Sequence, residues 1–175
     1  IAVRNRHRML DETVFDCITE ASAYWAGFFM GDGHCHRDPP TIGITLADQD
    51  SRHLYAFREF LGSDHRICHN AKRGECSLGI RSFRLIQALE ALGVTQEKSL
   101  NGHATTLAMN RHWWRGVVDA DGSLGMYPDR RGRGMGASIR LKLVGSRPLL
   151  EQFMCFVRDH VPSCHAQVHQ YIPNM

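Results

Sequence analysis

Apolar residues in this chain change their spacing several times, and each change marks an element. A helix is predicted from near Thr19 to Asp32, with Thr19 as N-cap, Glu20 in the first turn where the dipole favours an acid, and Gly33 as the stop. Alternation at period two follows over Thr41–Ala47, placing Ile42, Ile44 and Leu46 on one face of a strand. Helical spacing then returns from Ser51 to Leu61, with Leu54, Phe57 and Leu61 on the buried side. Two more strands, at about 64–70 and 76–81, flank the turn-like Ala71-Lys72-Arg73-Gly74, and a helix from Ser82 to Leu92 ends at a Gly93 cap.

The pattern then repeats. Tyr24-Trp-Ala-Gly-Phe-Phe-Met-Gly-Asp-Gly33 is echoed by Trp113-Trp-Arg-Gly-Val-Val-Asp-Ala-Asp-Gly122. A second alternating strand, Ser138–Val144, turns Ile139, Leu141 and Leu143 inward, and a helix from Ser146 to about His160 follows it. The openings Ser51-Arg52 and Ser146-Arg147 correspond. A third strand is predicted at 164–172; by analogy with the first half, a fourth strand and a last helix are then missing. Each half reads α-β-β-α-β-β-α, the second incomplete. The expected organisation is an arm at 1–18, a first repeat at 19–98, a linker at 99–109 and a second repeat at 110–175.

With 175 residues, 43% hydrophobic and 22% charged, the chain is expected to form one globular unit of two halves, without a membrane span. A net charge of +3 does not by itself call for a nucleic-acid partner, but its distribution is uneven. Arg130, Arg131, Arg133, Arg140, Lys142 and Arg147 form a stretch with no acid among them. The six cysteines lack any C-x-x-C pair and no signal peptide precedes them, so an intracellular, reduced protein is expected, in cytoplasm or an organelle matrix.

The repeated helices carry the chemistry. Gly27 and Gly31 in the first, and Gly116 and Ala120 in the second, stand four residues apart on one face, where small residues let two backbones approach closely. Asp32 and Asp121 fall at the helix C-termini, where the dipole and unpaired carbonyls repel a carboxylate. A divalent cation reverses that penalty. If the helices pair, the two carboxylates and the carbonyls of Gly31 and Ala120 make an oxygen-rich set suited to Mg²⁺, or Mn²⁺, and the matching chemistry is metal-assisted phosphodiester hydrolysis. Helix packing needs small residues at the crossing; it does not need an acid at both tips.

On these residues the sequence resembles the LAGLIDADG homing endonucleases. The motif reads Trp25-Ala-Gly-Phe-Phe-Met-Gly-Asp-Gly33 and Trp114-Arg-Gly-Val-Val-Asp-Ala-Asp-Gly122, and the likeness extends from about Phe15 onward. Met30 stands where the sixth motif position is usually acidic, and Arg115 where a small residue is usual. The resemblance implies an α+β fold of two pseudo-twofold αββαββ(α) repeats, with antiparallel, saddle-shaped sheets and the motif helices packed between them. It implies metal binding by Asp32 and Asp121, and a role near the scissile phosphate for Lys98, in the segment after the last helix of the first repeat. Asp48 and Gln49, at the end of the second strand, resemble residues that position water, with Gly145 in the corresponding place of the second half. DNA would lie against the strand faces turned away from the helices, at Thr41, Gly43, Thr45, Ser138, Arg140 and Lys142, with Arg66, Arg81 and the basic residues Arg130, Arg131 and Arg133 as further contacts.

The function implied is site-specific cleavage of double-stranded DNA by a monomer holding both half-sites, the activity behind intron mobility. The alternatives are a non-cleaving protein of the same fold, either an intron RNA-splicing maturase or a DNA-binding regulator, and an inactive fragment. Without the last strand and helix, the apolar faces of residues 139–157 are expected to be exposed, and cutting to be confined to one strand. Zinc binding by His34, Cys35, His36, Cys68, His69 and Cys76 is disfavoured, because neighbouring strand residues point to opposite faces and zinc-ligand spacing is absent. An intein is also disfavoured: Ile1 cannot serve as a splicing nucleophile.

Overall fold

The computed structural model describes residues 8–128 and 137–169. Helix α1, Glu20–Gly31, begins at a capping box in which the Thr19 hydroxyl accepts from the Ser22 amide at 3.0 Å and the Ser22 hydroxyl accepts from the Thr19 amide at 2.8 Å. It ends on Asp32. Strands β1 (Gly33–Arg37) and β2 (Pro40–Ala47) follow, then a short 3-10 turn and helix α2 (Ser51–Phe60). Next come β3 (Cys68–Asn70), β4 (Glu75–Arg81), α3 (Phe83–Ala91) and the one-turn helix α4 (Lys98–Asn101). The second half supplies α5 (Arg111–Asp121), β5 (Gly122–Pro128), β6 (Ala137–Leu143) and α6 (Arg147–His160).

The first half is a four-stranded antiparallel sheet in the order β1-β2-β4-β3. Ile42, Ile44, Leu78 and Ile80 point to one face and are fully covered by α2 and α3, through Leu54, Phe57, Leu85, Ile86 and Leu89. Residues 8–18 are tied to this half. Phe15 is buried against Phe60, the Asp11 amide donates to the Leu61 carbonyl at 2.9 Å, and the Ser82 hydroxyl donates to Glu12. That attachment shortens the strand expected at 64–70 to Cys68–Asn70. The Asp64 amide and carboxylate bond Met9 of the arm, and Ser63 bonds His65, so these groups do not join a ladder.

The second half departs from the first for one reason. Here β5 pairs β6 as β1 pairs β2, but in the first half β3 bonds only to β4, and α3 covers β1 and, together with α2, β2. No counterpart of β4 or α3 occurs among the described residues. Accordingly, of the strand expected at 164–172, residues 164–169 form none, and 170–172 lie outside the described residues. Ile139 and Leu141, expected inward, are 72% and 45% exposed, and Leu124 and Met126 beside them on β5 are equally open. The interior of this half is confined to α5, α4 and α6, with Trp114 packed on Phe153 and Phe156 and Leu149 buried.

Among the described residues no helix is long and apolar enough to cross a membrane.

Candidate nuclease site

Helices α1 and α5 pack along their lengths, and the small residues decide how closely. A Cβ on Gly27 would overlap the Trp113 carbonyl; one on Gly116 would overlap the Tyr24 carbonyl and lie 2.7 Å from the Phe28 nitrogen. Only glycine permits this contact at either position. Nearer the tips, a Cβ on Gly31 would stand 2.5 Å from the Ala120 Cβ and 2.8 Å from Asp121 Oδ2. The helix ends therefore arrive together, bringing the Asp121 carboxylate alongside the backbone of Gly31 and into the field of Asp32.

Both carboxylates are half-buried. Burial raises the Asp32 carboxyl above its ordinary range, and the Asp121 charge raises it further; burial likewise raises Asp121. Lys98 opposes both shifts. Its ammonium donates to the Met30 carbonyl at 2.7 Å and to the Gly31 carbonyl, in the last turn of α1. Burial lowers the lysine's own pKa, while Asp121, Cys35 and Asp32 pull it back up. The site thus holds two crowded anions and the terminal carbonyls of a helix, answered by one tethered cation.

Carboxylates and helix-end carbonyls together attract positive charge, and Lys98 supplies one such charge. Among the described residues no three His, Cys, Asp or Glu side chains converge as a metal cluster, so an ion at the aspartate pair would complete its shell with carbonyls and water. That is the habit of Mg²⁺, which keeps several waters and takes one or two carboxylates. The residues fit a divalent cation of this kind.

A cleft of about 640 Å³ opens beside Asp32, lined also by Gln49, Arg52, His53, Tyr24 and Asp119 among others, but not by Asp121. Gln49 therefore shares a wall with Asp32. Asp48 does not: its carboxylate meets His69 Nδ1 at 2.5 Å, over β3. Across the cleft the Tyr24 hydroxyl donates to Asp119 Oδ2 at 2.9 Å and lies 3.2 Å from His53 Nε2, joining α1, α5 and α2. Burial and the neighbouring Asp119 push the Tyr24 hydroxyl well above its ordinary pKa, so it remains a donor.

On the open side of the first sheet, register places Thr41 opposite Arg81, Gly43 opposite Gly79 and Thr45 opposite Ser77. His34 and His36 of β1 occupy the same side, opposite Gly43 and Thr41, with ring centroids 5.5 Å apart. The His34 imidazole lies over Gly43, where a Cβ would come within 2.6 Å of its Cε1. In the second half Ser138, Arg140 and Lys142 share a face with Tyr127, whose ring carries the Lys142 ammonium at 4.6 Å and the Arg140 guanidinium at 5.2 Å. Arg66 is exposed in the irregular segment before β3, and Arg130, Arg131 and Arg133 lie outside the described residues. Sequence reasoning did not single out His34, His36 or Tyr127 for this surface. The period-two alternation of β1, carried on from Gly33, would have found the histidines.

No protein-family profile and no curated protein matches the chain. Among solved structures it is similar to the meganuclease I-SmaMI bound to uncleavable DNA, at 12% identity and a TM-score of 0.51, over 81% of this chain and 73% of that one. Two other similar structures are the LAGLIDADG meganuclease I-CpaMI bound to uncleaved DNA (12% identity, TM-score 0.46, 82% and 72% covered) and the I-LtrWI LAGLIDADG homing endonuclease bound to target DNA (10%, 0.44, 75% and 66%). At this identity the likeness concerns the fold.

Proposed function

We propose, from the LAGLIDADG meganuclease fold that this chain has, that it binds double-stranded DNA and hydrolyses phosphodiester bonds at a specific site with a divalent metal. The observation that carries the reading is the meeting of Asp32 and Asp121 at the ends of two helices whose glycines allow backbone contact. A pair of half-buried, mutually repelling carboxylates is costly in a structural helix junction and useful where a cation is held against a phosphate. Asp32 and Asp121 would hold the ion, with the Gly31 and Ala120 carbonyls as further donors. When bound, it supplies Lewis-acid polarisation of a phosphoryl oxygen and lowers the pKa of a water.

The chain's own residues do the rest. Gln49, in the cleft wall, orients water beside Asp32. Lys98 offers its ammonium to charge developing on the phosphate. On the sheet faces, Arg140 and Lys142 contact phosphates, while Thr41, Thr45, His34, His36 and Arg81 face the base edges. The two strands of DNA meet unequal halves, since Gly145 stands in the second repeat in the place that Asp48 and Gln49 hold in the first.

The test is incubation of the purified protein and Mg²⁺ with supercoiled plasmid carrying the DNA that flanks its own coding element, joined without the interruption. Cleavage that Asp32→Asn or Asp121→Asn abolishes supports the nuclease. Specific binding with intact DNA throughout would instead favour the non-cleaving alternative.

A further inference from the structure

We propose that Lys98 is an exchangeable counter-ion: its ammonium holds the carbonyl end of α1 while the site is free of metal, and a divalent cation at the Asp32–Asp121 pair displaces it. This rests on the aspartate pair being the cation site. Two observations carry it. The ammonium is bound to backbone carbonyls of Met30 and Gly31, and the Gly31 carbonyl is one of the oxygens an ion between the aspartates would use. The lysine backbone is pinned: the Gly102 amide donates to the Lys98 carbonyl at 2.8 Å, a Cβ on Gly102 would stand 2.7 Å from Met30 Sδ, and the Ser146 hydroxyl donates to the Gly102 carbonyl. Only the four-carbon side chain can move, and it is long enough to do so.

Charge decides the direction. Two carboxylates and one ammonium leave the metal-free site with a single net negative charge, which that arrangement tolerates. A divalent ion on the same oxygens would face the ammonium at contact distance, and Coulomb repulsion at a half-buried site exceeds what two hydrogen bonds to carbonyls retain. Lysine and metal therefore alternate at the helix end, and binding of metal is what releases the ammonium to meet a phosphate. Lys98 is in this respect a positioning residue whose location reports occupancy of the site.

Because Lys72, Lys98 and Lys142 are the only lysines, amine acetylation read by mass spectrometry resolves each one. In the metal-free protein, Lys98 should label far more slowly than the exposed Lys72 and Lys142. Saturating Mn²⁺, with occupancy followed by its paramagnetic resonance signal, should raise labelling of Lys98 and leave Lys72 unchanged. Lys98→Met, verified as folded by its melting curve, should bind Mn²⁺ about tenfold more tightly. Continued protection of Lys98 with Mn²⁺ bound overturns the exchange while leaving the metal site standing. Absence of any Mn²⁺ binding that depends on Asp32 removes both.

Discussion

Replacing Gly27 by alanine adds one carbon at a point where the partner helix leaves no room for it. The added Cβ would overlap the Trp113 carbonyl oxygen and lie 2.9 Å from its carbon, both backbone atoms that cannot rotate away. Ordinary carbon–oxygen contact needs well over 3 Å, so α1 and α5 must separate along their whole interface. Overpacking of this kind costs roughly 1–3 kcal/mol, and a rigid backbone partner puts it at the upper end. Against this stands the helix preference of alanine over glycine, about 1 kcal/mol. The net loss is about 2 kcal/mol, and for a chain of this size about 2–4 °C of melting temperature per kcal/mol gives a fall of roughly 4–8 °C. Gly116→Ala meets the Tyr24 carbonyl in the same way and should match it. Thermal melts followed by circular dichroism measure both. A variant as stable as the parent, or more stable as helix propensity alone requires, would refute the close approach on which the joining of Asp32 and Asp121 depends.

Further outcomes follow from the charges. The raised carboxyls of Asp32 and Asp121 mean that the native state favours their protonated forms, so the stability they contribute is present below about pH 4 and is lost as pH rises through their elevated values. Asp121→Asn should therefore gain in melting temperature relative to the parent between pH 4 and pH 7 without metal; an equal difference at both values would contradict the raising of the Asp121 carboxyl by burial. Removing both Arg140 and Lys142 by alanine should weaken DNA binding across all sequences and reduce the slope of log affinity against log salt by about 2. An unchanged slope would take the β5–β6 face out of the interface.

Much of the site was legible because duplication exposes it: small residues and an acid recur in both helices, and a tip acid has no packing purpose. Thr19 was readable as a cap; Ser82 and Ser146 are expected from sequence as the first residues of their helices, and in the structure their side chains likewise bond the first free amides of the helices that follow. Other features depend on contacts no local pattern encodes. The binding of Asp48 to His69 requires the pairing of β3 with β4, and the seat of Lys98 on the α1 carbonyls requires the path of the linker. Alternation put Ile139 and Leu141 on one face of β6, and the repeat comparison led to the exposure expected there, which both side chains show.

The central claim is that Asp32 and Asp121 form one cation site, and calorimetric titration with Mn²⁺ tests it directly. The parent protein should bind saturably, and Asp32→Asn and Asp121→Asn, each folded by its melt, should each weaken binding at least about tenfold. Binding that either variant leaves at the parental affinity would mean that the carboxylates do not share an ion.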